Sequence, residues 1–559
     1  MEILNYLARF RKLCQPGIRV PVVFLVLIVI CFLSFQSSTL FSESDLLHDL
    51  RKMFSPSASN SGPSRSNNSA ADNSSAPVPI PVPVVDNRSS PSPQPEKVEN
   101  STNSSLTSVG SPLDEGAEMR KKKGRSKSPP RSDKPASRNC SREREPRKKR
   151  KTTQHVTSIR EMSEILLRNQ RSSCSKVPQW SCPIDQQILE ARRKILNAPI
   201  VEDDPELYPP VYRNFSTFKR SYELMEKMLK VYVYNEGKRP IFHEPILSGI
   251  YAAEGWFMKH MEGKNRFLVD DPAKAHLFYM PFSSTMLRMN RYDPKSPHKR
   301  NLVQFLRNYV TTIAAKYPSW NRTGGADHFS VSCHDWASML TAKAMGDSIR
   351  ALCNADLMGA FEIGKDVSIT LTPVRNAKNP VQNVGGKPGE QRDLLAFFAG
   401  QMHGYVRPLL MQQWGKGDPD IKVFGPLRKG RRWDATTYVD SMRRTKYCLC
   451  PRGYEANSPR LAEAFFYECV PVIISDNFVP PFFDVLNWEA FSVVVPVKDI
   501  PRLKEILLSI PREKYLALQT GVRMVQRHFL WHSKPKRYDL FHTTLHSVWF
   551  NRVLQLRER

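Results

Sequence analysis

The sequence KYCLCPRGYEANSPRLAEAFFYECVPVIISDNFVPP, residues 446–481, decides the fold. Residues 447–450 form a short apolar run that the following Pro-Arg-Gly interrupts, which predicts a strand ended by a loop. Apolar residues then recur at helical spacing between 461 and 465. Residues 470–474 are a continuous apolar run, typical of a strand buried on both faces of a parallel sheet. The stretch therefore predicts a strand–loop–helix–strand unit of an α/β protein.

The loop and helix of this unit carry the residues that suggest a ligand. Ser458 is a good helix N-cap, and Pro459 suits the first helical position, where a missing N–H costs nothing. Arg452 and Arg460 lie close to this helix start in the sequence. In such units the loop after a strand lies at the ligand-binding edge of the sheet, and a helix N-terminus favours anions. The pattern predicts a ligand that bears phosphate.

Residues 451–482, PRGYEANSPRLAEAFFYECVPVIISDNFVPPF, resemble the exostosin family of glycosyltransferases (glycosyltransferase family 47), particularly its plant members. Weaker resemblance in VYVYNEG, DDPAKAHLFYMPF and GGADHFSVSCHDW extends the similarity to residues 215–530. The resemblance implies a GT-B-like α/β fold, in which two doubly wound Rossmann-like domains face a cleft. It also implies inverting, single-displacement transfer of a sugar from a nucleotide donor to a glycan acceptor.

Length and charge limit the alternatives. A chain of 559 residues is too long for one ordinary core, so at least two folded units are expected. The net charge is +29, and residues 118–151 contribute sixteen Lys or Arg against four acids. This basic run would suit nuclear import or nucleic-acid contact, but its Pro and Ser content favours a solvated, disordered segment. We expect no nucleic-acid partner, because a membrane segment precedes the run.

Residues 20–35 are apolar apart from Ser34, and with 36–39 they reach the roughly 20 residues that a bilayer-spanning helix needs. Arg and Lys precede this run and acids follow it, which places the C-terminal body in the lumen. The prediction is a Golgi type II membrane protein; a cleaved signal peptide is the alternative. The predicted order is a cytosolic tail at 1–19, a transmembrane signal anchor at 20–40, a disordered stem at 41–175, an N-terminal acceptor domain at 215–392, a C-terminal donor domain at 393–530 and a C-terminal helix at 531–559.

A lumenal body would permit glycosylation and disulfides. Cys174 with Cys182 is the easiest disulfide to imagine, whereas Cys448 and Cys450 point to the same face of a strand and are expected to be buried or to pair elsewhere. The RKKR within 142–151 could be cut by a Golgi protease. The N-glycosylation sequons are Asn67, Asn73, Asn87, Asn100, Asn103, Asn139, Asn214 and Asn321.

Strand and helix patterns alternate through both predicted domains, which favours mostly parallel sheets. The terminal helix at 539–556 is predicted to be amphipathic, and the resemblance implies that it packs back across the first domain. In the first domain, strands are predicted at 230–234, 266–269, 275–282, 328–332 and 367–371, with helices at 249–261 and 299–316. In the second, strands are predicted at 394–400, 421–425 and 491–495, with helices at 405–414, 436–444, 501–508 and 512–528.

Glycosyl transfer needs a held diphosphate leaving group and a base for the acceptor hydroxyl. The predicted diphosphate ligands are Arg452, Gly453, Arg460 and the backbone near Ser458; an i,i+3 ion pair of Arg460 with Glu463 is the alternative. The resemblance implies that Glu463 accepts hydrogen bonds from the donor ribose. Gly400, Gly404 and Arg407 form a second candidate phosphate loop, although an ordinary strand-to-helix turn would explain the glycines equally well.

The base is expected from the first domain. Asp335 and His334 follow a predicted strand at the ligand edge and are favoured over Asp327 and His328, which precede it. Asp271 before Pro272 is predicted as a helix cap.

Asp418-Pro419-Asp420 would suit a metal, but it precedes a strand at the opposite sheet edge and is interpreted as a turn, so no metal or other cofactor is expected. Trp256, Trp336 and Trp433 are candidates for stacking on sugars, with core packing as the alternative.

The predicted function is a glycosyltransferase that moves a sugar from a nucleotide-sugar donor, predicted to be uridine-diphosphate-linked, to a cell-wall polysaccharide or a glycoprotein glycan. Its predicted partners are the donor, the glycan acceptor and the membrane, and assembly with itself or with other glycosyltransferases stays open. A membrane-tethered glycan-binding protein without catalysis and a nuclear basic protein are the alternatives.

Overall fold

The structure is a computed structural model that describes residues 155–172, 178–180, 182–295, 298–381, 383–426 and 435–556. The predicted tail, anchor and most of the stem, the six sequons from Asn67 to Asn139, and also Cys174 and Trp433, lie outside these ranges. Within them, no helix combines the length and apolarity needed to cross a membrane. Asn214 and Asn321 are the sequons that the structure describes, and both residues are exposed.

The described chain alternates between helices and short parallel strands. The strands are β1 Val231–Val233, β2 Leu277–Tyr279, β3 His328–Ser332, β4 Ile349–Leu352, β5 Val367–Ser368, β6 Leu394–Ala399, β7 Ile421–Phe424, β8 Thr445–Pro451, β9 Val470–Ile474 and β10 Val493–Val494. The α-helices are α1 Ile159–Ser172, α2 Pro183–Leu196, α3 Phe215–Met228, α4 Ala252–Glu262, α5 Ser284–Arg291, α6 Arg300–Lys316, α7 Pro318–Thr323, α8 Ala337–Ala342, α9 Val406–Trp414, α10 Ala435–Arg444, α11 Arg460–Phe466, α12 Leu503–Leu508, α13 Arg512–Val525 and α14 Leu540–Gln555. Single 3-10 turns lie at Pro209–Val211, Pro272–Lys274, Gly389–Gln391, Trp488–Ala490, Val497–Arg502 and Gln526–Phe529.

Two five-stranded parallel sheets organise the described part of the chain. The first has the order β1-β2-β3-β4-β5 and the second the order β10-β9-β8-β6-β7. The central strand β9, Val470–Ile474, is buried along its whole length, because helices cover both faces of a parallel sheet. In the second sheet β6 is followed by β7 on one side and by β8 on the other, so the chain reverses direction across the sheet between β6 and β8.

Most predicted elements are present, and the differences have local causes. β4 was not predicted, since the polar Arg350 interrupts its apolar run; in the structure Arg350 is buried and its Nε donates to Asp366 at 3.2 Å. The predicted strand at 266–269 is wrong, because only an isolated bridge between Val231 and Leu268 forms there.

Order also begins earlier than the predicted stem allows. Helix α1 lies inside the range 41–175 that was predicted as disordered, and it is held by Met162 and Leu166, which are buried at i,i+4 spacing. The end of the predicted stem is therefore part of the folded body.

The two sheets are joined by backbone pairing. Residues after β9 run along the carboxyl edge of the first sheet, where the Val479 N–H donates to Ala355 and the Phe482 N–H donates to Ser368. The Asn457 amide donates to the Cys353 carbonyl at 2.7 Å. These bonds fix the loop after β8 against the end of β4.

The prediction that the last helix is amphipathic is wrong. Along α14, polar as well as apolar residues are buried, because the helix packs between α2, α3 and the strands β4 and β5. Two of its buried polar residues bond to other parts of the first half: Asn551 donates to the Asp366 carbonyl at 3.4 Å, and His546 shares a 2.7 Å hydrogen bond with Ser221. The helix thus completes the first half of the body.

Among the residues that the structure describes, two disulfides lie in or beside the strands. Cys333 pairs with Cys353 and Cys448 with Cys469, while Cys450 is a buried free thiol. The expectation that Cys448 and Cys450 do not bond each other is confirmed. The predicted pair of Cys174 with Cys182 is wrong, because Cys182 has a free thiol.

Candidate active site

Two loops meet outside the carboxyl ends of β6 and β8. Open α/β sheets bind ligands in the crevice where the strand order reverses, and here that point lies between these two strands. The loops touch at Gly404 and Gly453: a Cβ added at Gly404 would lie 2.1 Å from the carbonyl oxygen of Gly453. Gly404 also has a φ of +70°, which would strain any side chain. Glycine at this position therefore lets the loops close around the crevice.

Arg407 and Arg460 reach this crevice from the helices that follow the two loops. Arg407, on α9, donates from Nη1 to the carbonyl of Gln401 at 3.0 Å and from Nε to that of Pro451 at 3.4 Å. Arg460, the first residue of α11, donates from Nε and Nη2 to the carbonyl of Ala399 at 3.1 and 2.9 Å. The structure thus brings together two arginines that were predicted from separate segments.

Neither arginine has a carboxylate partner among the described residues. Burial and the charge of Arg460 lower the pKa of Arg407 to about 10. The guanidinium carbons lie 5.8 and 5.1 Å from the ring centre of Phe398, so both cations flank one aromatic ring. The alternative pair of Arg460 with Glu463 is not formed, since Glu463 accepts from the Tyr438 hydroxyl at 2.6 Å. Two adjacent positive charges without a counter-charge favour binding of an anion.

The start of α11 differs from the prediction. The helix begins at Arg460, and Pro459 occupies the capping position in a helical conformation. The predicted cap by Ser458 is wrong: its hydroxyl is buried without a hydrogen-bond partner, and its carbonyl accepts the Leu461 N–H. Because α11 has only seven residues, the positive charge at this edge comes from the two arginines more than from the helix end.

Arg452 and Gly453, predicted to bind the diphosphate, lie in the same loop. Arg452 donates from Nη2 to Asp356 of the first half at 3.3 Å and from Nη1 to the carbonyl of Asp476 at 3.4 Å. The buried Gly453 donates its N–H to the carbonyl of Glu455 at 3.2 Å. Arg452 therefore joins the two halves, and its contact with a donor stays a prediction.

Glu463 lies one turn beyond Arg460, at the edge of a groove between α11 and the segment that connects the two sheets. Its carboxylate is half-buried: one oxygen accepts a hydrogen bond from Tyr438, and the side chain also borders the groove. The groove is lined by Pro373, Arg375, Asn376, Asn379, Pro380, Asn383, Glu463, Phe466 and Tyr467. At this position the amides could donate hydrogen bonds to the hydroxyl groups of a ligand and accept from them, and the carboxylate could accept from them.

On the other side, β3 places His334 at the carboxyl edge of the first sheet. The imidazole is buried, and its Nδ1 accepts the N–H of Trp336 at 3.1 Å. Burial and the charges of Arg288 and Lys299 lower the pKa of His334 to about 4. His334 is therefore neutral at pH 7 with Nδ1 occupied, which makes it a weak candidate for the predicted base.

Asp335 is better placed for the predicted role. Its half-buried carboxylate accepts from the Asn354 amide at 3.3 Å and bonds to the Tyr251 hydroxyl. Burial raises the pKa of Asp335, while these two donors and the charge of His403 oppose the rise. Since His403 belongs to the loop after β6, Asp335 faces the second half across the crevice.

Glu455 is a candidate that sequence reasoning missed. It lies in the loop after β8 between Arg452 and Asn457, both of which are anchored to the first half. No side chain of the described residues donates a hydrogen bond to its carboxylate, and burial, reinforced by the charge of Asp335, raises the pKa of Glu455 to about 7. The sequence offered only a weak signal, an acid in a loop between glycine and asparagine.

Other predicted residues stabilise the fold. Asp327 and His328, disfavoured as bases, are fully buried: Asp327 binds Arg322 at 2.7 Å and His328 at 2.8 Å, and His328 shares a 2.7 Å bond with Tyr234. Asp271 accepts the Ala273 N–H at 2.9 Å, which confirms it as a cap.

The Asp418-Pro419-Asp420 segment is a turn before β7, as predicted. Asp418 accepts the backbone N–H groups of Asp420 and Ile421 at 2.8 and 3.0 Å, and Lys504 pairs with both carboxylates. Within the described ranges, no cluster of three or more His, Cys, Asp or Glu has a geometry that could hold a metal ion.

Of the candidate tryptophans, Trp256 is fully buried and donates to the carbonyl of Leu247 at 3.0 Å, so it belongs to the core. Trp336 is half-buried at the rim of the crevice, directly after Asp335.

Known proteins match the part of the chain that builds this crevice. The Exostosin GT47 domain matches residues 225–510, just over half of the 559 residues. The chain belongs to the exostosin GT47 family. "Probable glycosyltransferase At5g03795" of Arabidopsis thaliana is 44% identical over 383 residues, which cover 67% of this chain and 73% of that protein. "Probable beta-1,4-xylosyltransferase IRX10" of the same plant is 32% identical over 57% of this chain and 81% of its own length. "Probable glucuronosyltransferase Os01g0926700" of Oryza sativa subsp. japonica is 31% identical over 57% and 80%.

Membership of the exostosin GT47 family makes this protein a glycosyltransferase. Within the family region, the crevice between β6 and β8 combines uncompensated arginines on one wall with the carboxylates Asp335 and Glu455 near the other. Those are the two kinds of group that glycosyl transfer requires.

Proposed function

We propose that this exostosin GT47 protein is a Golgi type II membrane enzyme with a GT-B-like cleft. It transfers a sugar, with inversion, from a uridine-diphosphate-linked donor to a cell-wall polysaccharide or a glycoprotein glycan. The observation that carries the proposal is the pair Arg407 and Arg460, two guanidinium groups at the switch point of the second sheet with no carboxylate partner among the described residues.

The arginine pair suits a diphosphate. Arg407 uses Nε and Nη1, and Arg460 uses Nε and Nη2, for carbonyl oxygens, which leaves Nη2 of the first and Nη1 of the second without an acceptor among the described residues. Charge develops on the leaving diphosphate as its bond to the sugar breaks, and fixed cations stabilise that charge without reorganisation. We propose that the arginines supply this charge without a metal ion, and that Glu463 and its groove hold the ribose.

Glu455 is the base we favour, with Asp335 beside it. The acceptor hydroxyl gives its proton to the Glu455 carboxylate while its oxygen attacks the anomeric carbon of the donor. The bond from that carbon to the diphosphate oxygen breaks, and the diphosphate leaves with both electrons between Arg407 and Arg460. A general base works best with a pKa near the working pH, which the half-buried Glu455 meets better than His334.

The test uses the full-length protein in detergent micelles, incubated with a panel of sugar nucleotides, and measures nucleotide binding and release of nucleoside diphosphate. We expect uridine-diphosphate sugars to bind and to be slowly hydrolysed, and added EDTA to leave the rate unchanged. Failure to bind any nucleotide would overturn the proposal. Glycan binding without nucleotide binding would support the membrane-tethered glycan-binding alternative instead.

A further inference from the structure

A basic surface adjoins the crevice on the first half of the molecule. Between Ser284 and Lys316 the sequence has a single acid, Asp293, among many cations. The cations of α5, α6 and the segment between them form what we call the basic rim, in which Lys299 is half-buried and the others are exposed: Arg288, Arg291, Lys295, Lys299, Arg300 and Arg307. None of them forms an ion pair with a described residue, in contrast to Lys316, which pairs with Glu236. The basic rim therefore carries an unneutralised positive charge.

The basic rim ends on an aromatic surface next to Asp335. The Lys299 ammonium lies 4.0 Å from the ring centre of Trp336, and the Arg288 guanidinium carbon lies 5.7 Å from it. The ring of Tyr292 meets Trp336 edge-on with centres 4.8 Å apart, which fixes the orientation of the indole. Trp336 directly follows Asp335, so this platform borders the place where an acceptor hydroxyl would be activated.

The same cations act on the crevice itself. The charge of Arg288 reaches Asp335, and the charge of Lys299 reaches Glu455. The groups that face Glu455 are therefore Lys299 and Asp335 from the first half, the Arg452–Asp356 pair at the junction, and His403 nearby on the second half, which faces Asp335. The basic rim and the crevice form one electrostatic surface.

Resting on the proposed function, we propose that the acceptor is an anionic glycan whose sugars carry carboxylates, bound along the basic rim with one sugar against Trp336. A neutral glycan would gain no charge attraction from the six cations, and holding them together costs stability through repulsion. A uronic-acid ring matches both the indole and the cations, because the C–H face of the sugar can lie on Trp336 while its carboxylate contacts Lys299 or Arg288. The surface thus selects the charge of the acceptor, while the crevice carries out the transfer.

The experiment compares two acceptor probes on the full-length protein: an oligogalacturonide and the same oligosaccharide with its carboxylates methyl-esterified. We expect the acid to bind at least about 10-fold more tightly at low salt, and this preference to shrink as ionic strength rises. In Arg288→Gln/Lys299→Gln the ratio of the two affinities should fall about 10-fold. Lys498→Gln/Lys514→Gln, which removes the same charge from exposed positions of the second half, should keep the ratio.

The outcomes separate this inference from the proposed function, because uridine diphosphate binding is measured on the same samples. Equal binding of acid and ester with intact nucleotide binding would overturn the anionic acceptor and leave the donor assignment standing. Equal competition by a single-stranded oligonucleotide, or a preference for a sulfated over a carboxylated oligosaccharide, would also overturn it. Absence of nucleotide binding would instead remove the proposed function.

Discussion

Two clusters of arginines, one in each half of the molecule, differ in their counter-charges. At the amino end of β3, Arg322 bonds to Asp185 at 2.7 Å and to Asp327 at 2.7 Å. Arg552 of α14 lies in the same network, where burial lowers its pKa and Asp327 opposes that effect. At the carboxyl ends of β6 and β8, Arg407 and Arg460 donate only to carbonyl oxygens.

The comparison teaches how a structural arginine differs from a candidate binding one. Arg322 and its two aspartates form a buried ion-pair network that joins α2 and α7 to the start of β3, and such a network loses much of its stability when one member is removed. Two arginines without acids keep a net charge that an anionic ligand can complete. The residue type is the same in both places, and only the partners separate the two roles.

The largest effect is expected from Arg460→Ala. Turnover should fall roughly 10⁴-fold, about 5 kcal/mol in the barrier, because one of the two cations that face the leaving diphosphate is lost. The melting temperature should barely change, since Arg460 makes hydrogen bonds only to the Ala399 carbonyl. Steady-state kinetics and thermal unfolding check both points, with Lys514→Ala as the control. A variant that keeps a tenth of the wild-type rate would contradict the assignment of Arg460 as a ligand of the diphosphate.

Arg322→Ala should have the opposite profile. Removal of the guanidinium leaves Asp185 and Asp327 buried without their cation, so the free energy of unfolding should fall by about 3–5 kcal/mol. The rate per folded molecule should be retained. Arg502→Ala is the control, because its pair with Glu505 is exposed and screened by solvent, so its loss should leave the unfolding curve nearly unchanged. Denaturant unfolding would show the result, and a loss of activity without a loss of stability would contradict it.

Glu455→Gln tests whether Glu455 is the base that takes the proton of the acceptor hydroxyl. The wild-type rate should rise as pH increases through about 7, because burial raises the pKa of Glu455 to about 7 and only its ionised form can take a proton. The variant should lose about 10²-fold in turnover and lose this rise. If the variant kept the pH profile and Asp335→Asn removed it, Asp335 would be the base.

The smallest effect is expected from Asp418→Asn. Its carboxylate orders the turn before β7 and pairs with Lys504, so the free energy of unfolding should fall by about 1 kcal/mol or less with no change in turnover. Activity measured with and without added manganese gives the check. A specific loss of activity that manganese restores would mean that this pair binds a metal.

Local sequence patterns predicted the second sheet more completely than the first. Val470–Ile474 is apolar throughout, so its strand and its burial follow from the residues alone. β4 escaped prediction because Arg350 is buried in it, and the ion pair with Asp366 that permits this comes from 16 residues further along the chain. The C-terminal helix was misjudged for a related reason, since the partners of Asn551 and His546 lie far away in sequence.

In the candidate site, too, some residues could be predicted from the sequence and others could not. Arg460 and Arg407 could be named from their places beside strand ends, but the cap at Ser458 could not be judged without the loop path that buries its hydroxyl. Glu455 gave no sequence signal strong enough to select it. Its role depends on Arg452 and Asn457 holding the loop against the first half.

The sequence by itself determined that this is an α/β glycosyltransferase of the exostosin GT47 family, because periodicity, strand composition and a long motif are properties of neighbouring residues. The tertiary structure decided which charges are cancelled and which remain. That depends on contacts between residues tens to hundreds of positions apart, and no local pattern encodes such distances. Arg322 is neutralised by Asp185 from 137 positions away, whereas Arg460 meets only the carbonyl of Ala399, 61 positions away.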